Sequence, residues 1–291
     1  MTILPVDDKI KELLDEKLKM LESHFDADII SYNGPFVDGM EPTFVRIVEE
    51  LVEKDKRERL CVILTTLGGS AIAVERCVNI LRHHYREVNF IVPDHAYSAG
   101  TIFCMSGDNI YMDYYSVLGP IDPQVKNKEG KFVPALGYLD KVNELVEKAK
   151  MDELTKAEFI ILKDMDLAEL RAFEQAKELT IALLKNWLVN YKFKNWTIHS
   201  DTSKRAGQPV TTDEKNKRAE EIADLLSNNN KWKSHGRPIN IEVLENELRL
   251  KINDYSKDPE RRELIRSYHF LLTDYIEKNG FNSFIHTRCF I

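Results

Sequence analysis

Ser98 has the strongest chemical setting in this 291-residue chain. It stands in Val92-Pro-Asp-His-Ala-Tyr-Ser98-Ala-Gly-Thr101, just before the apolar run Ile102-Phe-Cys-Met105. If a helix starts here, the hydroxyl projects from a strand-to-helix turn, where backbone donors and the positive helix end face an attacked carbonyl. The same position suits an ordinary helix-capping serine, and the sequence leaves both uses open. A second turn, Thr65-Thr-Leu-Gly68-Gly69-Ser70, follows a strand-like run and precedes a helical one. Gly68 and Gly69 carry no side chain to shield a carbonyl, so their consecutive amides are candidate oxyanion donors. A nucleotide loop is the weaker reading of this turn, because the spaced glycines and the lysine are missing.

These turns need strands and helices to hold them. Arg59 to Thr66 reads as a strand, Ala71 to Tyr85 as a helix, Val88 to Val92 as the next strand and Asn109 to Asp113 as another. Repeated strand and helix order favours a mostly parallel sheet with helices on its faces, and chemistry is expected at strand ends. A first amphipathic helix carries Ile10, Leu13, Leu14, Leu18 and Leu21 on one face and needs a partner surface. A strand at 28–32 and a helix at about 41–54, with Pro42 near its start, follow. Residues 138–191 read as strongly helical, and Thr197 to Thr212 as a linker or crossover. Helices resume near 213–226, 241–252 and 259–278. The expected organisation is an N-terminal helical segment (1–27), a core with a helical arm (28–197) and a C-terminal helical extension (198–291).

At TTLGGS (65–70), YSAGT (97–101) and SVLGPIDPQV (116–125) the chain resembles the serine dehydrogenase proteinase family, related to Clp-type and signal-peptide peptidase A-like serine peptidases of the ClpP/crotonase superfamily. The resemblance spans roughly residues 28 to 190. It implies an α/β fold with a ClpP/crotonase-like spiral core and added helices at both ends. It also implies peptide hydrolysis through a Ser98 acyl-enzyme, with Gly68 and Gly69 as the oxyanion loop and no metal or other cofactor. The family name is not evidence for serine dehydration. No histidine lies between Ser98 and His199, so a Clp-type base soon after the nucleophile does not carry over. The resemblance to Ser–Lys enzymes points instead to Lys141, with Asp166 or Asp164 orienting it. His95, His199 and His235 are the alternative bases, and Asp122 reads as a support of the active rim through local backbone donors.

With 31% charged residues of both signs and a net charge of -7, the composition favours solubility and opposes general nucleic-acid affinity. Without a long uncharged segment or a secretory start, a cytoplasmic address is expected, with no membrane insertion. Cys61, Cys77, Cys104 and Cys289 lack metal-ligand spacing and read as free thiols. The expected partners are a peptide or an unfolded protein segment and further copies of the chain, with the first helix or the residues after Tyr138 covering apolar surface. Other readings are an inactive ClpP-like scaffold, an acyl-ester hydrolase, and an interaction protein binding nucleic acid through Lys231, Lys233 and Arg237.

Overall fold

The computed structural model describes residues 5–122, 124–126, 130, 132–199 and 205–291, so Pro123 of the third motif and part of the expected linker lie outside it. In chain order the first half runs α1 (Pro5–Phe25), β1 (Asp28–Asn33), α2 (Glu41–Glu53), β2 (Arg59–Thr65), α3 (Ala71–His84), β3 (Glu87–Ile91), β4 (His95–Ala96), α4 (Ala99–Met105), β5 (Asn109–Met112) and β6 (Val117–Leu118). A hairpin of β7 (Gln124–Lys126) and β8 (Phe132–Pro134) leads into α5 (Ala135–Lys150), α6 (Lys156–Lys163) and α7 (Leu167–Trp187). Then come α8 (Thr212–Leu226), α9 (Asn229–Trp232), α10 (Ile241–Asn246), β9 (Asn253–Asp254), α11 (Pro259–Asn279) and β10 (Phe284–His286).

The main sheet has the order β10-β1-β2-β3-β5-β9, parallel throughout except for β10. Its strands are apolar on both faces, as helices on each side require. Ile29, Cys61, Ile63 and Ile91 pack under α1 and α11, against Leu14, Leu18, Leu21, Ile265 and Leu272. Ile30, Val62, Leu64, Phe90 and Ile110 face the other layer, with Val48, Leu51, Val74, Val78 and Phe103. The partner that the apolar stripe of α1 needs is therefore α11. The architecture is the expected mixed α/β fold, with a central sheet flanked by helices.

Two features depart from the sequence reading. The C-terminal region is not purely helical: β9 and β10 close opposite edges of the sheet. The helix expected over 241–252 stops at Asn246, and the chain reaches β9 by Asn253. At α7 the helix passes into a π-helical turn, Leu188–Lys192.

At the β10 edge of the sheet His286 is fully buried, with its ring nitrogens 2.9 Å from the Tyr268 hydroxyl and 2.9 Å from Asp15 Oδ1. Burial holds His286 and the buried His269 below their ordinary pKa of 6.5, although Asp15 opposes the shift at His286. The unfolded chain therefore binds protons on these rings at a pH where the folded chain does not, so acid favours unfolding. The melting temperature is expected to hold above about pH 6.5, the unfolded histidine value, and to fall as pH drops below it. Thermal melts across this range check the claim, and an unchanged melting temperature down to pH 5 would refute it.

Candidate active site

Past its last paired residue, the chain of β2 runs on beside the segment that carries Ser98. Thr66 N–H donates to the His95 carbonyl and Tyr97 N–H to the Thr66 carbonyl, both at 3.0 Å. The chain then crosses to Phe36, whose N–H donates to Gly68 O and whose carbonyl accepts from Ser70 N–H, both at 2.8 Å. On the far side β4 pairs in parallel with β6, and Leu118 pairs with Ile239. These short segments make a second ribbon beyond the C-terminal ends of β2 and β3, and it sets the three motifs side by side.

The motifs interlock because their glycines leave no room for a side chain. A Cβ on Gly68, whose φ is +108°, would lie 2.8 Å from Ser98 Cβ. One on Gly100 would lie 2.3 Å from Thr66 Cγ2, and one on Gly119 would lie 2.4 Å from Tyr97 Cδ1. All three are closer than real Cβ contacts allow. The Thr101 hydroxyl, fully buried, adds a polar clamp: it lies 2.8 Å from the Ala96 carbonyl and accepts from Gly119 N–H at 3.0 Å.

Ser98 does not act as a helix-capping serine, because its side chain makes no capping bond. Its backbone lies at φ 53° and ψ -116°, and Gly100 N–H donates back to the Tyr97 carbonyl at 2.8 Å. That is a type II′ β-turn with Ser98 at the position glycine normally takes. A serine there stores roughly 1–3 kcal/mol of backbone strain, which the surrounding ribbon must hold. The residue is only 6% exposed, yet its hydroxyl has no hydrogen-bond partner among the described residues and is not sealed from solvent.

Gly68 N–H is engaged by Thr66 Oγ1 at 3.0 Å. Gly69 pairs with Phe36 through its neighbours' groups, so its own N–H faces away from Phe36. Ala99 N–H belongs to the central peptide of the Ser98 turn, and among the described residues neither it nor Gly69 N–H has a partner. Sequence reasoning missed Ala99, although its place next to the serine at a helix start was a usable signal.

A family model described as ClpP-like SDH-type serine proteinase matches residues 45–214, more than half of the chain. The chain belongs to that family. Two uncharacterized proteins of Methanocaldococcus jannaschii are also similar to it. MJ1495 is 32% identical over 125 residues, 43% of this chain and 38% of its own length. MJ0137 is 39% identical over 70 residues, 24% of each. The chain thus spans well under half the length of the curated relatives it matches. Among solved structures, two alanine variants of the 1510-N membrane-bound stomatin-specific protease are similar, the second in complex with a substrate peptide. They are 21% and 23% identical, cover 44% and 51% of this chain and 68% and 70% of theirs, and each has a TM-score of 0.31. In the chain itself, no described helix is long and apolar enough to cross a membrane.

In this member of the family the candidate bases are dispersed. Lys141 lies on α5 with its side chain 58% exposed, and its ammonium is held by Glu144 at 2.9 Å. The carboxylate beside Lys141 is therefore Glu144, not Asp166, whose Oδ1 caps α7 by accepting from Ala168 N–H at 2.8 Å. Asp164 ends α6 and is exposed. His95 Nδ1 lies 3.0 Å from Asp94, and the ring stacks on Tyr97. The hydrogen bond to His95 holds Asp94 below the usual carboxylate range. His199 sits with Glu214 at 3.3 Å, in a cavity with Asp108 and Asn109 at the N-terminal end of β5. That is the opposite end of the sheet from Ser98, so the fold does not bring His199 to the serine.

Among the described residues Asp122 accepts from Leu136 N–H, 3.0 Å away in the first turn of α5, rather than from a local donor, and burial pushes its carboxyl above the usual range. This tie anchors α5 to the rim. His235 lies near enough for its charge to act on Asp122, and its Nδ1 is buried without a hydrogen bond among the described residues. The thiols are poor nucleophiles: burial pushes Cys61 and Cys77 up to about 12 and raises Cys104 as well.

Proposed function

We propose that the protein is a serine peptidase that cleaves peptides or unfolded protein segments through an acyl-enzyme on Ser98. The carrying observation is the unpartnered Ser98 hydroxyl, presented on a strained turn directly against Gly68. The oxygen gives its proton to a base and attacks the scissile carbonyl, Gly69 N–H and Ala99 N–H hold the developing negative charge, and the peptide C–N bond then breaks as the leaving amine takes up that proton. Gly68 serves by geometry, since only a glycine lets the loop approach the nucleophile this closely. Water then releases the acyl group. An extended substrate fits this reading, because a compact protein does not offer its backbone to a buried turn.

Lys141 is the proposed base. Its support is the histidine-free stretch after Ser98 and its place on a helix that Asp122 ties to the motif rim. To accept a proton it must leave Glu144 and be desolvated, which lowers a lysine pKa. Assembly supplies that step in this reading. Phe159, Ile160 and Ile161 are 55–59% exposed on α6, an apolar surface suited to a second copy in a closed homo-oligomer. A cytoplasmic address fits the free thiols and the charge pattern.

Lys141→Ala is expected to leave folding and assembly intact while slowing Ser98 acylation by about a hundredfold or more. The rate is read by stopped assays on an activated ester or peptide, with light scattering confirming assembly. A wild-type rate in the assembled variant would remove Lys141. His95, whose ring Asp94 already orients, would then become the leading base, with His95→Ala the deciding variant.

A further inference from the structure

At the end of the sheet opposite Ser98 lies an open cavity of about 1120 Å³, bounded by the start of β5, the approach to β9, the π-helical turn and α8. Its volume is just above the roughly 300–1,000 Å³ typical of small-molecule sites. Three carboxylates reach it, and each is already matched. Asp108 is held by Arg82 at 2.8 Å and by Lys194 at 2.5 Å. Glu214 is paired with Arg205 and His199, and Glu221 with Arg218 at 2.7 Å. Four further cations line the space, namely Lys192, Lys217, Arg249 and Lys251. Among the described residues none of the four has an ion pair or a side-chain hydrogen bond. Such a concentration of unmatched positive charge runs against the net charge of -7 of the chain.

Lys192 is the most telling of the four. It ends the π-helical turn at the foot of α7, a local widening of the helix often found at functional sites. Its neighbour Tyr191 is pinned by the Arg82 guanidinium, 3.8 Å over the ring. Lys192 is half-buried at the cavity wall, and burial, reinforced by Lys251, lowers it to about 8. Asp108 opposes this shift, but that carboxylate is already shared by Arg82 and Lys194. Trp196, partly exposed, adds an aromatic wall beside it.

We propose that this cavity binds a small phosphorylated ligand of nucleotide size, its phosphate oxygens taken by Lys192 together with Lys217, Arg249 and Lys251. Phosphate offers several acceptor oxygens and more than one charge, which four converging cations require. The site is separate from the peptidase turn and does not depend on the assignment of Ser98.

The test is isothermal titration of the full chain with pyrophosphate and, separately, with ATP, in magnesium-free buffer at low and high salt. Saturable binding of either, weakened by salt, is expected. Lys192→Gln should weaken it by about tenfold or more, as loss of a charge-assisted hydrogen bond does, with no fall in melting temperature. Lys251→Gln, at an exposed position, gives the same reading without touching the π-helical turn. ATP binding more tightly than pyrophosphate assigns the wall at Trp196 to a base, while equal affinities assign the site to phosphate alone. No binding of either at millimolar concentration, affinity unchanged in both variants, or binding of single-stranded RNA without ATP or pyrophosphate would overturn the proposal.

Discussion

Ser98→Gly is expected to do two opposite things at once: raise the melting temperature and lower peptide hydrolysis by about a thousandfold or more. The rise follows from the turn. At φ 53° and ψ -116° a serine side chain crowds its own backbone, whereas glycine enters the first central position of a type II′ turn freely. Relief of about 1 kcal/mol is expected, after allowing for the greater freedom of glycine in the unfolded chain. The loss of hydrolysis follows from removal of the nucleophilic hydroxyl of Ser98. Ser98→Ala separates the two effects, since it removes the oxygen but keeps the strain, so hydrolysis should fall equally without the gain in melting temperature. A Ser98→Gly protein less stable than Ser98→Ala would show that the turn is not strained.

Arg288→Met is expected to destabilise the fold by about 3–5 kcal/mol, the usual result of leaving buried carboxylates unpaired. Arg288 sits where the C-terminal segment crosses the start of β1, with Nη1 2.7 Å from Glu22 and 2.6 Å from Asp28. Its Nη2 donates to the carbonyls of Leu51, Lys54 and Asp55 at 3.2, 2.7 and 3.0 Å. Asp28 is fully buried and takes a further bond from the Tyr85 hydroxyl at 2.7 Å. Removing one guanidinium thus strands two acids and three carbonyls while β10 loses its anchor. Urea unfolding measures the change, and a loss below about 1 kcal/mol would mean that the two carboxylates are neutralised without Arg288.

The parallel strands and their helices were legible because each is a local pattern. Leu60 to Leu64 is an uninterrupted apolar run, and the leucines of α1 recur at helical spacing. β9 and β10 were not legible in this way. Asn253–Asp254 is too short and too polar to show a period, and Phe284–His286 becomes a strand only by pairing with Ser31 to Asn33, some 250 positions earlier. At the site, residue types pointed to Ser98 and the paired glycines, but a sequence does not state the direction of an N–H bond. That direction leaves Gly69 and Ala99 open while Thr66 engages Gly68. Lys141 and Asp166 lie on helices rich in charge, where position in the sequence says little about contact, and there Glu144 and the amides of α7 claim them.

The most direct test of the central assignment is intact-mass and peptide-mapping analysis after treatment with a fluorophosphonate probe, which forms a stable adduct with an activated serine. One adduct per chain, mapped to Ser98 and absent from the folded Ser98→Ala protein, is the expected result. An unmodified Ser98 in folded protein at its active assembly state, or an adduct on another residue with hydrolysis retained by Ser98→Ala, would contradict it.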